Sequence, residues 1–206
     1  MHVIQSKCLI HIGEQIFKGV VDLFEERYSA MPPDHRPTVI CGYDARGFIL
    51  GAPIAIALGV PFVLLRKDRK SPGVLVESTS YEKEYKETHN DQMCLRVGAI
   101  TSSDRVVLVD DLIATGGTAV AGIELVEALG AKVVEFAAVT CLPGLGGSEF
   151  IHTAHGGRYS RVTVFTLVGD GAIPQEMCRD PVGWREGDRT VPVDQAGRLR
   201  TLYGLE

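Results

Sequence analysis

The sequence predicts an α/β fold, a mainly parallel twisted sheet flanked by helices, and three observations carry that expectation. Short apolar runs alternate along the chain with segments whose apolar residues recur at helical spacing. The clearest run, Val106, Val107, Leu108 and Val109, is unbroken rather than alternating, as in strands covered on both faces. Glycine and proline punctuate the chain between these segments, which fits short connections between strand and helix.

In order along the chain, residues 14–28 place Ile16, Val20, Leu23 and Phe24 on one face of a helix. Pro32, Pro33 and Pro37 then break the chain, and residues 38–41 form a short buried strand. Residues 48–58 form a helix closed by Gly59, and residues 61–65 a second strand. Residues 66–91 are charged and poor in aliphatic side chains, too mixed for a core element. They form a surface excursion of a length that is usually functional or disordered. After the strand at residues 106–109, residues 118–129 make an amphipathic helix ended by Gly130. A buried strand at residues 133–140 and a late one at residues 161–168 complete the pattern. The periodicity fades beyond Gly169. Residues 1–168 are therefore expected to form one domain and residues 169–206 an irregular C-terminal extension, packed on that domain or on a dimer partner.

The chain has 206 residues, 45% of them hydrophobic and 23% charged, as in an ordinary globular protein. A net charge of −5 argues against nucleic acid or an anionic membrane as a general partner. It also means that a polyanionic substrate must be met by a local cationic cluster. Five scattered cysteines without CxxC spacing suggest a reduced, cytoplasmic compartment, and no apolar stretch or signal-peptide pattern points to a membrane.

Function is most legible in the stretch RVVLVDDLIATGGT, residues 105–118. A buried strand runs into a turn of Ala114, Thr115, Gly116, Gly117 and Thr118, and a helix follows at once. Backbone N–H groups then converge near the positive end of a helix dipole, which makes an anion site. Asp110 and Asp111 add two carboxylates at the carboxyl end of the strand, where open α/β sheets bind ligands. A phosphate cradle beside two carboxylates suits a sugar phosphate, with the carboxylates on ribose hydroxyls or a hydrated Mg²⁺. Neither a GxxxxGK[ST] loop nor a GxGxxG turn after a strand is present.

Two cationic segments leave the same sheet edge. Arg46, in Asp44-Ala45-Arg46-Gly47-Phe48, is placed to offer a phosphate its bidentate fork. Arg66, Lys67, Arg69 and Lys70 fall within five residues after the second strand; alone, such a run is commonly a solvated face. His152 and His155 stand three apart without a third ligand nearby, a poor metal site.

The VDDLIATGGT wording resembles the 5-phosphoribosyl-1-pyrophosphate (PRPP) signature of the type I phosphoribosyltransferases, in the form carried by their adenine branch. The ARGF and RKxxKxPG segments are similar to the same family's. The resemblance implies that family's fold and a Mg²⁺-dependent transfer from PRPP to adenine, giving AMP and pyrophosphate in purine salvage. It implies that residues 114–118 hold the 5-phosphate and that Ala45, Arg46, Arg66 and Lys70 hold the pyrophosphate. Asp110 and Asp111 fall on catalytic positions, with no metal ligand assigned to the protein directly. Tyr81-Glu82-Lys83-Glu84-Tyr85 matches in spacing a flexible active-site loop, with Tyr81 at its start, in which Glu84 handles the proton on the base and Tyr85 is the loop aromatic. Leu142 falls at the base, and a homodimer is implied.

Two departures touch base recognition. The N-terminal hood region, residues 1–37, is short, and MHVIQSKCLIHIG lacks the Pro- and Phe-containing pattern expected there. Cys141 stands where many members have an acidic residue. A different purine base, or a catalytically silent PRPP-binding regulator, therefore remains an alternative.

Overall fold

The computed structural model describes residues 14–67, 72–79 and 92–172. Its elements in chain order are α1 (Glu14–Ser29), β1 (Val39–Tyr43), α2 (Arg46–Leu58), β2 (Phe62–Leu65), β3 (Leu75–Glu77) and β4 (Cys94–Arg96). These are followed by β5 (Arg105–Ile113), α3 (Gly117–Ala128), β6 (Lys132–Cys141), α4 (Gly147–Gly157) and β7 (Thr163–Val168). Five strands form one sheet in the order β2-β1-β5-β6-β7, and every neighbouring pair is parallel.

Strand alternation sorts the core onto two faces. Ile40, Val107, Val109 and Ala137 pack with Val20 and Phe24 of α1 and Leu50 and Ile54 of α2. Their neighbours Cys41, Leu108, Phe136 and Ala138 pack with Ile123 and Val126 of α3 and Ile151 of α4. All five residues of β1 are buried, which accounts for its unbroken apolar sequence.

A bulge fixes how α1 lies on the sheet. Val106 pairs with Val133 but Val107 pairs with Glu135, so Val134 has no opposite number. Val134 and Glu135 consequently both turn toward α1. Glu135, 1% exposed, accepts hydrogen bonds from Arg27 Nε and Tyr28 Oη, each at 2.9 Å. The Arg27 guanidinium also lies 3.8 Å above the Phe165 ring. The buried carboxylate is thus paired and bonded, which burial of a charge requires. Beside it the fully buried Phe24 contributes about 2–3 kcal/mol of apolar burial.

Three elements depart from the expectation. On α1 the buried stripe is Val20, Val21, Phe24 and Tyr28, while Ile16 and Leu23, expected on it, are exposed. The excursion is not uniformly a surface loop, because β3 within it pairs antiparallel with β4. Met93 and Leu95 of this hairpin enter the core shared with α3. Helix α4 was not expected at all. It begins on Gly146 and Gly147 and kinks at Ala154, His155 and Gly156, so little of it shows helical periodicity.

Candidate active site

The strand order locates the crevice before any side chain is considered. From β1 the chain moves outward to β2, then returns to place β5 on the other side of β1. Connections leave in opposite directions at the carboxyl ends of β1 and β5, and open α/β sheets bind ligands at such a switch point. A cavity of about 270 Å³ lies here. Lys67 reaches it from the end of β2, Asp44 and Arg46 from β1, and Asp110 with the loop at Ala114, Thr115, Gly116 and Thr118 from β5. From β2 to β5 is two strand spacings, about 10 Å. Cationic side chains stand at one end of that span and a helix N-terminus at the other.

The loop end is made of backbone. Gly116 caps α3 at φ +87° and provides no side-chain hydrogen bond to its first turn. The first-turn N–H groups are thereby left for an anion. The loop is also braced from behind by α4. A Cβ on Gly116 would come within 2.5 Å of the Gly147 carbonyl oxygen, and one on Gly147 would collide with the Ala114 carbonyl oxygen. Leu142 N–H donates to the Ile113 carbonyl at 2.8 Å, tying the end of β6 to the base of the loop. Leu112, Ile113, Phe136 and Leu142 form the apolar part of the lining.

The two carboxylates have different partners, as alternation along β5 requires. Asp110 lines the cavity. Asp111 is 3% exposed, and its Oδ2 lies 3.1 Å from Arg46 Nε. Its Oδ1 is buried and accepts no hydrogen bond among the described residues. Asp110 Oδ1 accepts the Asp111 N–H at 2.9 Å. Burial, reinforced by the neighbouring Asp111 charge, pushes the Asp110 carboxyl up to about 8. Burial also raises Asp111, against the opposing pull of the Arg46 guanidinium.

Arg46 is the first residue of α2, after a cis Asp44–Ala45 peptide bond with Ala45 at the N-cap. Arg66 is anchored by its backbone, donating to the Cys94 carbonyl at 3.1 Å and accepting from the Cys94 N–H at 2.6 Å. The next residue, Lys67, is the one that lines the cavity, and its N–H donates to Asp44 Oδ2 at 3.4 Å. Gly117 is buried at the start of α3. Lys70, Tyr81, Glu84 and Tyr85 lie outside the described residues. Asp44 and Phe136 were given no role in the sequence, and Lys67 was named in the cationic run without a role at the pyrophosphate. His152 has a ring nitrogen 2.9 Å from the Val162 carbonyl oxygen, and His155 meets the Tyr159 ring edge-on.

A doubly wound sheet with an uncapped helix N-terminus and facing cations at its switch point defines the class: an α/β protein with its ligand crevice at the carboxyl edge of the sheet. Comparison with known proteins narrows this. The phosphoribosyl transferase domain family matches residues 9–144. The adenine phosphoribosyltransferase of Albidiferax ferrireducens is 47% identical over 154 residues, covering 75% of this chain and 73% of that protein. Adenine phosphoribosyltransferase 1 of Triticum aestivum is 49% identical over 138 residues, 67% and 72% of the two chains. The crystal structure of the Trypanosoma brucei adenine phosphoribosyltransferase, in complex with AMP, pyrophosphate and ribose 5-phosphate, superposes with a TM-score of 0.78. It is 42% identical and covers 91% of this chain and 78% of that one. The chain belongs to the phosphoribosyltransferase family and, within it, groups with the adenine phosphoribosyltransferases.

Proposed function

We propose that this protein transfers the phosphoribosyl group of PRPP to adenine, forming AMP and pyrophosphate. The observation that carries the reading is a cavity lined at one end by a helix N-terminus and at the other by Arg46 and Lys67, about two strand spacings apart with Asp110 between them, an arrangement suited to a phosphate at each end. That relatives 47–49% identical are adenine enzymes supports adenine over another purine.

In this reading residues 114–118 hold the 5-phosphate on backbone N–H groups and threonine hydroxyls. Arg46 and Lys67, with Ala45, Arg66 and Lys70 close in sequence, take the pyrophosphate. Their positive charge offsets what builds up on the leaving group, an electrostatic contribution of several kcal/mol, or about 3 per donor. Asp110 faces the ribose, where the anomeric carbon becomes oxocarbenium-like. Asp111 acts beside it through its pair with Arg46. Leu142 and the apolar lining receive the base. Residues 81–85 form the closing loop, with Glu84 handling the proton on the base.

The donor set fits Mg²⁺, since Asp110 presents a carboxylate to the cavity and Asp111 keeps a buried oxygen that no described residue donates to. Bound with PRPP near these two residues, the ion supplies charge neutralisation for the departing pyrophosphate. We further infer one catalytic domain, residues 1–168, with residues 169–206 as an extension on it or on a partner, and a cytoplasmic homodimer. Exposed Ile49 and Ile56 on one face of α2 support the dimer. No described helix is long and apolar enough to cross a membrane.

A steady-state screen of purine bases with PRPP and Mg²⁺ tests the reading. Pyrophosphate release is expected with adenine. Release with another base and none with adenine would overturn it.

A further inference from the structure

The anion loop and Lys67 are far apart in sequence; the sheet spaces β2 from β5, but Lys67 lies two residues beyond the end of β2. A second connection runs behind the cavity. Lys67 follows Arg66, whose backbone exchanges two hydrogen bonds with Cys94 at the start of β4. Beside Cys94, Met93 accepts the Ser78 N–H at 2.8 Å and donates its own N–H to Ser78 Oγ at 3.0 Å. Ser78 is buried, 3% exposed. Its neighbour Thr79 donates both its N–H and its hydroxyl to Glu124 Oε2, each at 2.9 Å. Glu124 belongs to α3, seven residues and about 10 Å along the helix from the turn that begins on the anion loop.

We propose that Glu124 is a positioning residue that holds the cationic side of the cavity at its working distance from the anion loop. The hairpin β3–β4 is the spacer, fastened to Lys67 through the Arg66–Cys94 exchange and to α3 through the Thr79–Glu124 bonds. Two donors from one residue converge on a single carboxylate oxygen, which fixes direction as well as distance. Thr79 is exposed, and such surface contacts contribute little to global stability, so the consequence of this contact falls on geometry. A ligand with phosphates at both ends feels the spacing. A ligand with one phosphate, held by the loop alone, does not.

This inference rests on PRPP being the substrate, and the test separates the two. PRPP with Mg²⁺, and separately AMP, are titrated calorimetrically into the full-length wild type, Glu124→Ala and Glu124→Gln, and the KM for PRPP is measured with adenine. Glu124→Ala should weaken PRPP about fivefold in both Kd and KM while AMP stays within about twofold of wild type. Glu124→Gln keeps an acceptor oxygen for both Thr79 donors and should restore PRPP binding. Thr79→Val, which deletes only the hydroxyl, should show a smaller loss in the same direction. It serves as the test should Glu124→Ala fail to fold. Unchanged PRPP binding, or an equal loss for PRPP and AMP, would overturn the positioning role. A wild type that binds neither ligand would instead overturn the substrate assignment.

Discussion

The two ends of the cavity that we propose as anion sites are built by different means. The loop end is backbone, set by Gly116 at φ +87° and braced by Gly147 of α4. The cationic end is side chain: Arg46 paired with a buried carboxylate, and Lys67 held through its neighbours. A backbone site is fixed by packing, tolerates almost no added volume and carries no net charge of its own. A side-chain site supplies full charges, but it is only as well placed as the contacts that orient its long side chains. Substitutions behind the loop should therefore damage every phosphate ligand. Substitutions at the cations should discriminate between ligands with one phosphate and those with two.

The largest effect is expected from Gly147→Ala. The new Cβ has no room before the Ala114 carbonyl oxygen, so the loop or the start of α4 must shift. Overpacking of this kind costs about 1–3 kcal/mol. If the loop yields, AMP and PRPP both weaken, by about tenfold to a hundredfold. Calorimetry with AMP measures this directly, and wild-type affinity in a folded Gly147→Ala protein would show that α4 does not brace the loop.

Arg46→Lys should have a moderate and selective effect. The charge is kept but the planar fork is lost, and with it the Nε contact at 3.1 Å from Asp111. PRPP should weaken about tenfold, with AMP within about twofold of wild type. A parallel loss for both ligands would mean that Arg46 supports the fold of the edge rather than the pyrophosphate end.

The same contrast explains what the sequence shows and what it hides. The loop end is one contiguous stretch, in which a run of valines, two aspartates, two glycines and a helix follow in register, so period and turn chemistry are enough to read it. The brace behind it is not contiguous. Gly147 lies about thirty residues away in a short helix that starts on glycine and kinks at His155, so no apolar stripe announces it. Strands β3 and β4 have three residues each, too few for a period, and pair across an intervening charged stretch. Asp110 and Asp111 looked like one ligand-facing pair because adjacency in sequence suggests a shared role. In a strand it implies the reverse, and one of them lines the cavity while the other holds Arg46.

The smallest effect expected is on the pH dependence of stability, and it concerns Asp110, which stands between the two ends. Its carboxyl is pushed up to about 8 by burial and by the neighbouring Asp111 charge. In the ligand-free protein the folded state therefore keeps a proton that the unfolded chain releases near its ordinary value of 3.8. Where the folded state binds more protons, stability falls as pH rises. The contribution is fully present below pH 4 and is lost progressively up to about pH 8. Asparagine carries no such proton and removes the slope. In the absence of ligands the Tm of Asp110→Asn relative to wild type should therefore climb steadily between pH 5 and pH 8. Thermal scans across that window measure it, and a difference that stays flat or shrinks would show that the empty site does not hold Asp110 protonated. The same measurement with Mg²⁺ and PRPP sharpens the comparison of the two ends. A cation beside Asp110 compensates its ionised form, so the pH-dependent gap between variant and wild type should narrow when the cavity is filled.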